Sequence, residues 1–134
     1  MMKPAVAYIE DDARSRTVLN VILNKRMALE HVTILEDSSN FLSRLEALEP
    51  RPDVILLDIH MKPFSGFEML PVLRQSERLR GVPIVALTAS VMNEEVNLLQ
   101  QSGFDGCLAK PINLAIFPEL LEKILAGEHV WTIL

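Results

Sequence analysis

Short unbroken runs of apolar residues recur along the chain, and each closes on a polar or charged residue. Ala5-Val6-Ala7-Tyr8-Ile9 stops at Glu10-Asp11-Asp12, and Val54-Ile55-Leu56-Leu57 lies between Asp53 and Asp58. Val82-Pro83-Ile84-Val85-Ala86-Leu87 closes on Thr88, and the short run 106–109 ends at Lys110-Pro111. A further run, 31–35, is rich in β-branched residues. Runs of this length without alternation suit strands buried on both faces.

Between the runs the apolar positions take a helical spacing. In 14–29, Val18, Leu19, Val21, Ile22 and Leu23 cover one broad face, with Arg14, Arg16, Asn20, Asn24 and Lys25 largely opposite. Asp37-Ser38-Ser39 offers caps for a helix over 40–48, which Pro50 and Pro52 stop. After Asp58 comes a loop to Ser65-Gly66 and then a helix through 78. Pro71 lies too deep in it for a missing N–H to be harmless, which predicts a kink or a late start. Helices over 92–102 and 114–125 end at Gly103 and Gly127, and 128–134 is a tail.

Strands alternating with helices predict an α/β fold: a parallel five-stranded sheet, doubly wound, with helices on both faces. All strand carboxyl ends then lie on one edge, where ligands bind in open α/β sheets. The length of 134 residues fits one domain, taken as 1–126 with 127–134 as tail and no output domain after it. The formal net charge is −5 with no long basic run, which argues against a nucleic-acid partner; Arg74, Arg78 and Arg80 are accompanied by acids. Cys107 is the sole cysteine, so no internal disulfide forms. With no hydrophobic leader and no run of membrane-spanning length, the expected location is the cytoplasm.

The residues that terminate the strands carry the chemistry. Glu10, Asp11 and Asp12 end the first, Asp58 the third, Thr88 the fourth and Lys110 the fifth. Taken singly, each has a structural explanation: the acids cap a helix, Thr88 ends a strand, Lys110 is a surface charge. Taken together on one edge, they are a set for a phosphoryl group. Crowded carboxylates repel and raise one another's pKa, which a hard cation such as Mg²⁺ relieves. A hydroxyl and an ammonium suit an anionic tetrahedral ligand, and Asp58 can serve as nucleophile.

The ordered set Ile9-Glu10-Asp11-Asp12 with Arg16, Asp58-Ile59-His60-Met61 leading to Ser65-Gly66, Leu87-Thr88-Ala89, and Ala109-Lys110-Pro111 resembles a response-regulator receiver domain of two-component signalling over about 6–125. The resemblance implies a flavodoxin-like sheet with strand order 2-1-3-4-5. It implies that Asp58 accepts phosphate from a phosphohistidine on a sensor histidine kinase or phosphotransfer protein. It gives Mg²⁺ (or Mn²⁺) the ligands Asp11, Asp58 and the His60 backbone carbonyl, with Glu10 acting through water; Asp12 stays outside. Lys110 pairs with Asp58 and then the phosphoryl oxygens, Thr88 moves toward them, and Ala89 leaves access beside it. The Lys110–Pro111 bond is implied to be cis. Such a domain catalyses only its own phosphorylation and dephosphorylation and is otherwise not an enzyme. It signals through the fourth helix, fifth strand and fifth helix to a downstream protein, or serves as a phosphorelay shuttle to a histidine phosphotransfer domain.

Two positions depart from the family pattern. Lys62 precedes Pro63 where proline usually follows the methionine directly, and Cys107 stands where an aromatic switch residue usually lies. A thiol cannot fill a ring-sized space, so the expected switch relies on Thr88 with little aromatic rotation. The apolar tail Val130-Trp131-Thr132-Ile133-Leu134 is expected to contact the body or a homodimer mate. Two other phosphate chemistries fit worse. A haloacid-dehalogenase nucleophile has an Asp two residues on, where this chain has His60, and a flavodoxin phosphate loop is incompatible with Glu10-Asp11-Asp12.

Overall fold

The apolar runs become strands because each is covered on both faces by helices whose apolar stripes need burial. The computed structural model describes residues 3–90 and 92–131. The strands β1 (Val6–Ile9), β2 (Val32–Leu35), β3 (Val54–Asp58), β4 (Ile84–Thr88) and β5 (Gly106–Ala109) run parallel in the order β2-β1-β3-β4-β5. Strand alternation splits the core into two layers. Ala7, Ile9, Ile55, Leu57, Ile84, Ala86 and Cys107 face one side; Val6, Tyr8, Val54, Leu56, Val85, Leu87 and Leu108 face the other. Helices α2 (Phe41–Glu46), α3 (Gly66–Gln75) and α4 (Asn93–Ser102) cover the first layer, and α1 (Ala13–Asn20) and α5 (Phe117–Leu125) the second.

Among the described residues the sheet has one strand more than the five expected. β6 (Val130–Trp131) lies parallel along the free edge of β5, pairing Gly106 with Val130 and Cys107 with Trp131. Two residues are too few to show a strand period, so the run read only as an apolar tail. Gly127, at φ +94°, turns the chain back after α5. Gly106 admits the new strand: a Cβ there would lie 2.7 Å from the Val130 carbonyl oxygen. Val130 and Trp131 therefore contact the body, and both pack against the helix-covered layers. Thr132, Ile133 and Leu134 lie outside the described residues.

Several helix bounds also differ. α1 gives way to a π-helical segment, Val21–Arg26, in which Met27 N–H reaches Ile22 O at 2.9 Å. Asp37 does not cap α2; it accepts from Ser39 N–H and pairs with Arg44 at 2.9 Å, and left-handed Asn40 precedes the helix. α3 starts at Gly66 despite Pro71, because Ser65 and Glu68 form a reciprocal capping box there, and it ends at Gln75 rather than 78. α5 begins at Phe117 rather than 114, since Asn113 Oδ1 accepts the Ala115 N–H at 2.9 Å and holds the preceding residues in a turn. Lys110–Pro111 is cis, as are Lys62–Pro63 and Glu49–Pro50. No helix among the described residues is long and apolar enough to cross a membrane.

Candidate functional site

Register and alternation bring the strand-end groups together. β1 and β3 pair from Val6 opposite Val54 to Ile9 opposite Leu57, so one further step sets Glu10 beside Asp58. Both fall on the side of the sheet that Tyr8 and Leu56 face. Lys110 follows β5, its N–H bonded to Thr88 O at 2.8 Å, and its side chain reaches back to both acids.

Lys110 Nζ lies 2.9 Å from Glu10 Oε1 and 3.2 Å from Asp58 Oδ1. Glu10 is fully buried and Asp58 nearly so, while Asp11 is exposed. Carboxylate oxygens of Glu10, Asp11 and Asp58 all lie within 4.8 Å of one another. Oxygen donors alone at this spacing suit a hard divalent cation such as Mg²⁺ or Mn²⁺. Burial and the adjacent Glu10 push the Asp58 carboxyl up to about 7, against the opposing pull of Lys110. Burial also acts to raise Glu10, but hydrogen bonds from Asp58, Lys110 and Tyr8 outweigh it and hold Glu10 below the usual range. The two carboxyl groups thus titrate as a pair, with Asp58 raised and Glu10 lowered. Burial lowers the proton affinity of Lys110, and the two acids more than restore it, so the ammonium stays charged.

Around this centre is a cleft of about 460 Å³, whose lining includes Glu10, Asp58, His60, Ala89 and Lys110, with Val18, Pro111 and Ile112 as an apolar wall. Asp12 caps α1, accepting from Ser15 N–H at 3.0 Å and Ser15 Oγ at 2.8 Å, so its carboxylate is committed to the helix. Thr88 is buried; its hydroxyl donates to Glu95 Oε1 at 3.2 Å and accepts from Ser90 N–H at 3.0 Å. The His60 ring is exposed, its Nε2 3.3 Å from the same Glu95 oxygen. Cys107 belongs to the opposite layer and does not line the cleft; burial and the charge of Glu95 push its thiol up to about 11. An aromatic ring does lie in that layer next to Cys107, contributed by Trp131 of β6.

Four further residues build the site: Arg16 and Gly66 belong to the motifs of the resemblance but carry no assigned role there, and Tyr8 and Glu95 are not among those motifs. Tyr8 donates to Glu10 Oε1 at 2.7 Å from a fully buried position; the spacing of two along β1, which puts both on one face, was the signal. Arg16 Nη1 holds the Glu10 carbonyl at 3.0 Å. Gly66 packs under the carboxyl end of β3, where a Cβ would lie 2.7 Å from Ile59 Cδ1 and 3.2 Å from Asp58 O. Glu95 reaches the site across space from α4, and only its place in the first helical turn marked it.

Residues 6–124 match the family model described as the response regulator receiver domain. The polar-differentiation response regulator DivK of Brucella ovis is 37% identical over 87 residues, covering 62% of this chain and 71% of DivK. The chemotaxis response regulator CheY4 of Vibrio cholerae superposes with a TM-score of 0.79 at 25% identity, over 92% of this chain and 99% of that one. A receiver domain of a sensor histidine kinase from Pseudomonas aeruginosa PAO1, solved with magnesium in its active site cleft, gives a TM-score of 0.80 at 26% identity, over 92% and 98%. With a match running from the first residue of β1 almost to the end of α5, the chain belongs to the response regulator receiver domain family of two-component signalling.

Proposed function

We propose that Asp58 accepts a phosphoryl group from a phosphohistidine on a sensor histidine kinase or phosphotransfer protein, in a Mg²⁺-dependent (or Mn²⁺-dependent) reaction in the cytoplasm. The observation that carries this reading is the Lys110 ammonium, bonded at once to Glu10 and Asp58 beside a third carboxylate, Asp11. Asp11, Asp58 and the His60 backbone carbonyl would hold the cation, with Glu10 acting through water. When bound, the cation offsets the charge of the carboxylates and of the phosphoryl oxygens.

Asp58 attacks in its ionised form. A lone pair of its carboxylate oxygen forms the O–P bond while the P–N bond of the donor imidazole breaks, and the imidazole nitrogen keeps that electron pair. Lys110, already paired with Asp58, is placed to donate to a phosphoryl oxygen as charge builds there. The Thr88 hydroxyl supplies a second donor, and Ala89 leaves room for it. Val18, Pro111 and Ile112 give one side of the cleft an apolar surface. The consequence is a change in protein–protein contacts on α4, β5 and α5, where Met92, Leu98 and Leu125 are exposed and β6 now lines the edge.

Incubation with acetyl phosphate and Mg²⁺, read by intact mass, tests the reading. The wild type gains a single phosphoryl adduct of about 80 Da and Asp58→Asn gains none. An unlabelled wild type, or equal labelling of the variant, contradicts it.

A further inference from the structure

We propose that Glu95 is a positioning residue that holds Thr88 away from the phosphoryl site, so that phosphorylation of Asp58 and release of the start of α4 are one event. This rests on the reading of Asp58 as phosphoacceptor. The Thr88 hydroxyl has one proton, and it is donated to Glu95 Oε1 at 3.2 Å. Its acceptor capacity is engaged as well, by the Ser90 N–H at 3.0 Å. While the Glu95 bond stands, Thr88 cannot donate to a phosphoryl oxygen. The two acceptors compete for a single proton, and the Thr88 hydroxyl serves one or the other.

Glu95 is suited to hold this bond. Its side chain is 17% exposed, and Thr88 is fully buried, so water does not readily replace either partner. The same oxygen lies 3.3 Å from His60 Nε2, so α4 stands beside the loop after β3 as well as bonded to the end of β4. A phosphoryl group within reach of Thr88 would bring its oxygens to within roughly 6 Å of Glu95, two hydrogen-bond lengths. At that distance like charges repel, so the incoming anion disfavours the Glu95 contact while it attracts the hydroxyl. Once Thr88 turns, Glu95 retains His60 as a partner, and the first turn of α4 loses its tie to β4. Met92, which precedes α4, and Leu98 within it are exposed apolar residues that such a release repositions.

The test uses the full chain as wild type, Glu95→Ala and Glu95→Gln, with beryllofluoride plus Mg²⁺ as the aspartyl-phosphate mimic. Methyl three-bond couplings report the Thr88 side-chain rotamer before any metal is added. In the wild type the couplings show one rotamer; in Glu95→Ala they show averaging, and Glu95→Gln, which keeps a neutral acceptor, stays close to the wild type. The beryllofluoride concentration at half-saturation falls about three- to tenfold in Glu95→Ala, as expected when one long hydrogen bond of ordinary net strength no longer favours the resting state, and falls less in Glu95→Gln. Unchanged Thr88 couplings in Glu95→Ala, or unchanged half-saturation, overturns the role of Glu95 while leaving Asp58 as phosphoacceptor. A wild type that takes up no beryllofluoride removes the phosphoacceptor reading, and this proposal with it.

Discussion

Replacing Asp58 by Asn should stabilise the metal-free protein at alkaline pH. Asp58 is raised from 3.8 to about 7, chiefly by burial and then by Glu10. Its folded pKa therefore exceeds its unfolded pKa. Between about pH 4 and 7 the folded state holds a proton that the unfolded chain releases, so stability falls as pH rises through that window and stays low above it. Three decades of proton affinity correspond to about 4 kcal/mol. Glu10 is held below its usual range and acts in the opposite sense, so the net cost expected at pH 8 is smaller than that figure. A neutral carboxamide in place of the Asp58 carboxylate removes that cost. In thermal melts with EDTA at pH 8, Asp58→Asn should unfold about 5–10 °C above the wild type. The gap should shrink steadily as pH falls toward 4, and added Mg²⁺ should narrow it by stabilising the wild type. A variant no more stable than wild type at pH 8, or a gap that does not change with pH, would refute the argument that the two carboxyl groups titrate as a pair with Asp58 raised.

Other outcomes follow from single contacts. Gly66→Ala places a methyl 2.7 Å from Ile59 Cδ1 and 3.1 Å from Ile59 Cα; denaturant unfolding should show a loss of about 1–3 kcal/mol, together with slower phosphorylation by acetyl phosphate. Gly106→Ala collides with the Val130 backbone and should undock β6. Because Trp131 is the sole tryptophan, a red-shifted emission maximum reports this directly, and an unchanged spectrum argues against the β6 pairing. Tyr8→Phe deletes the 2.7 Å bond to buried Glu10 and should cost about 1–3 kcal/mol by chemical denaturation.

The five apolar runs were legible because a strand covered on both faces has no polar positions to interrupt it. The site was legible for a related reason. Glu10, Asp58, Thr88 and Lys110 each terminate such a run, and a parallel sheet places all terminators on one edge. What escaped has no local signal. β6 is two residues long, and its acceptance depends on Gly106, distant in sequence, lacking a Cβ. The Asp37 side chain bonds a local turn instead of a helix, a choice settled by Arg44 from the following helix. Glu95 is one of two acids in the first turn of α4, and only the packing of α4 over the end of β4 makes it the partner of Thr88. Cys107 carries no ring of its own, and the register that sets Trp131 beside it is a property of the sheet edge.

The central claim is that the phosphoryl group goes to Asp58. Aspartyl phosphate is reduced by borohydride to homoserine, so the modified position can be read by peptide mass mapping after treatment with acetyl phosphate and Mg²⁺. Homoserine is expected at position 58 alone, dependent on the divalent cation and absent in Asp58→Asn. Homoserine at Asp11, Asp12 or Asp53, or none in a fully folded wild type, would contradict it.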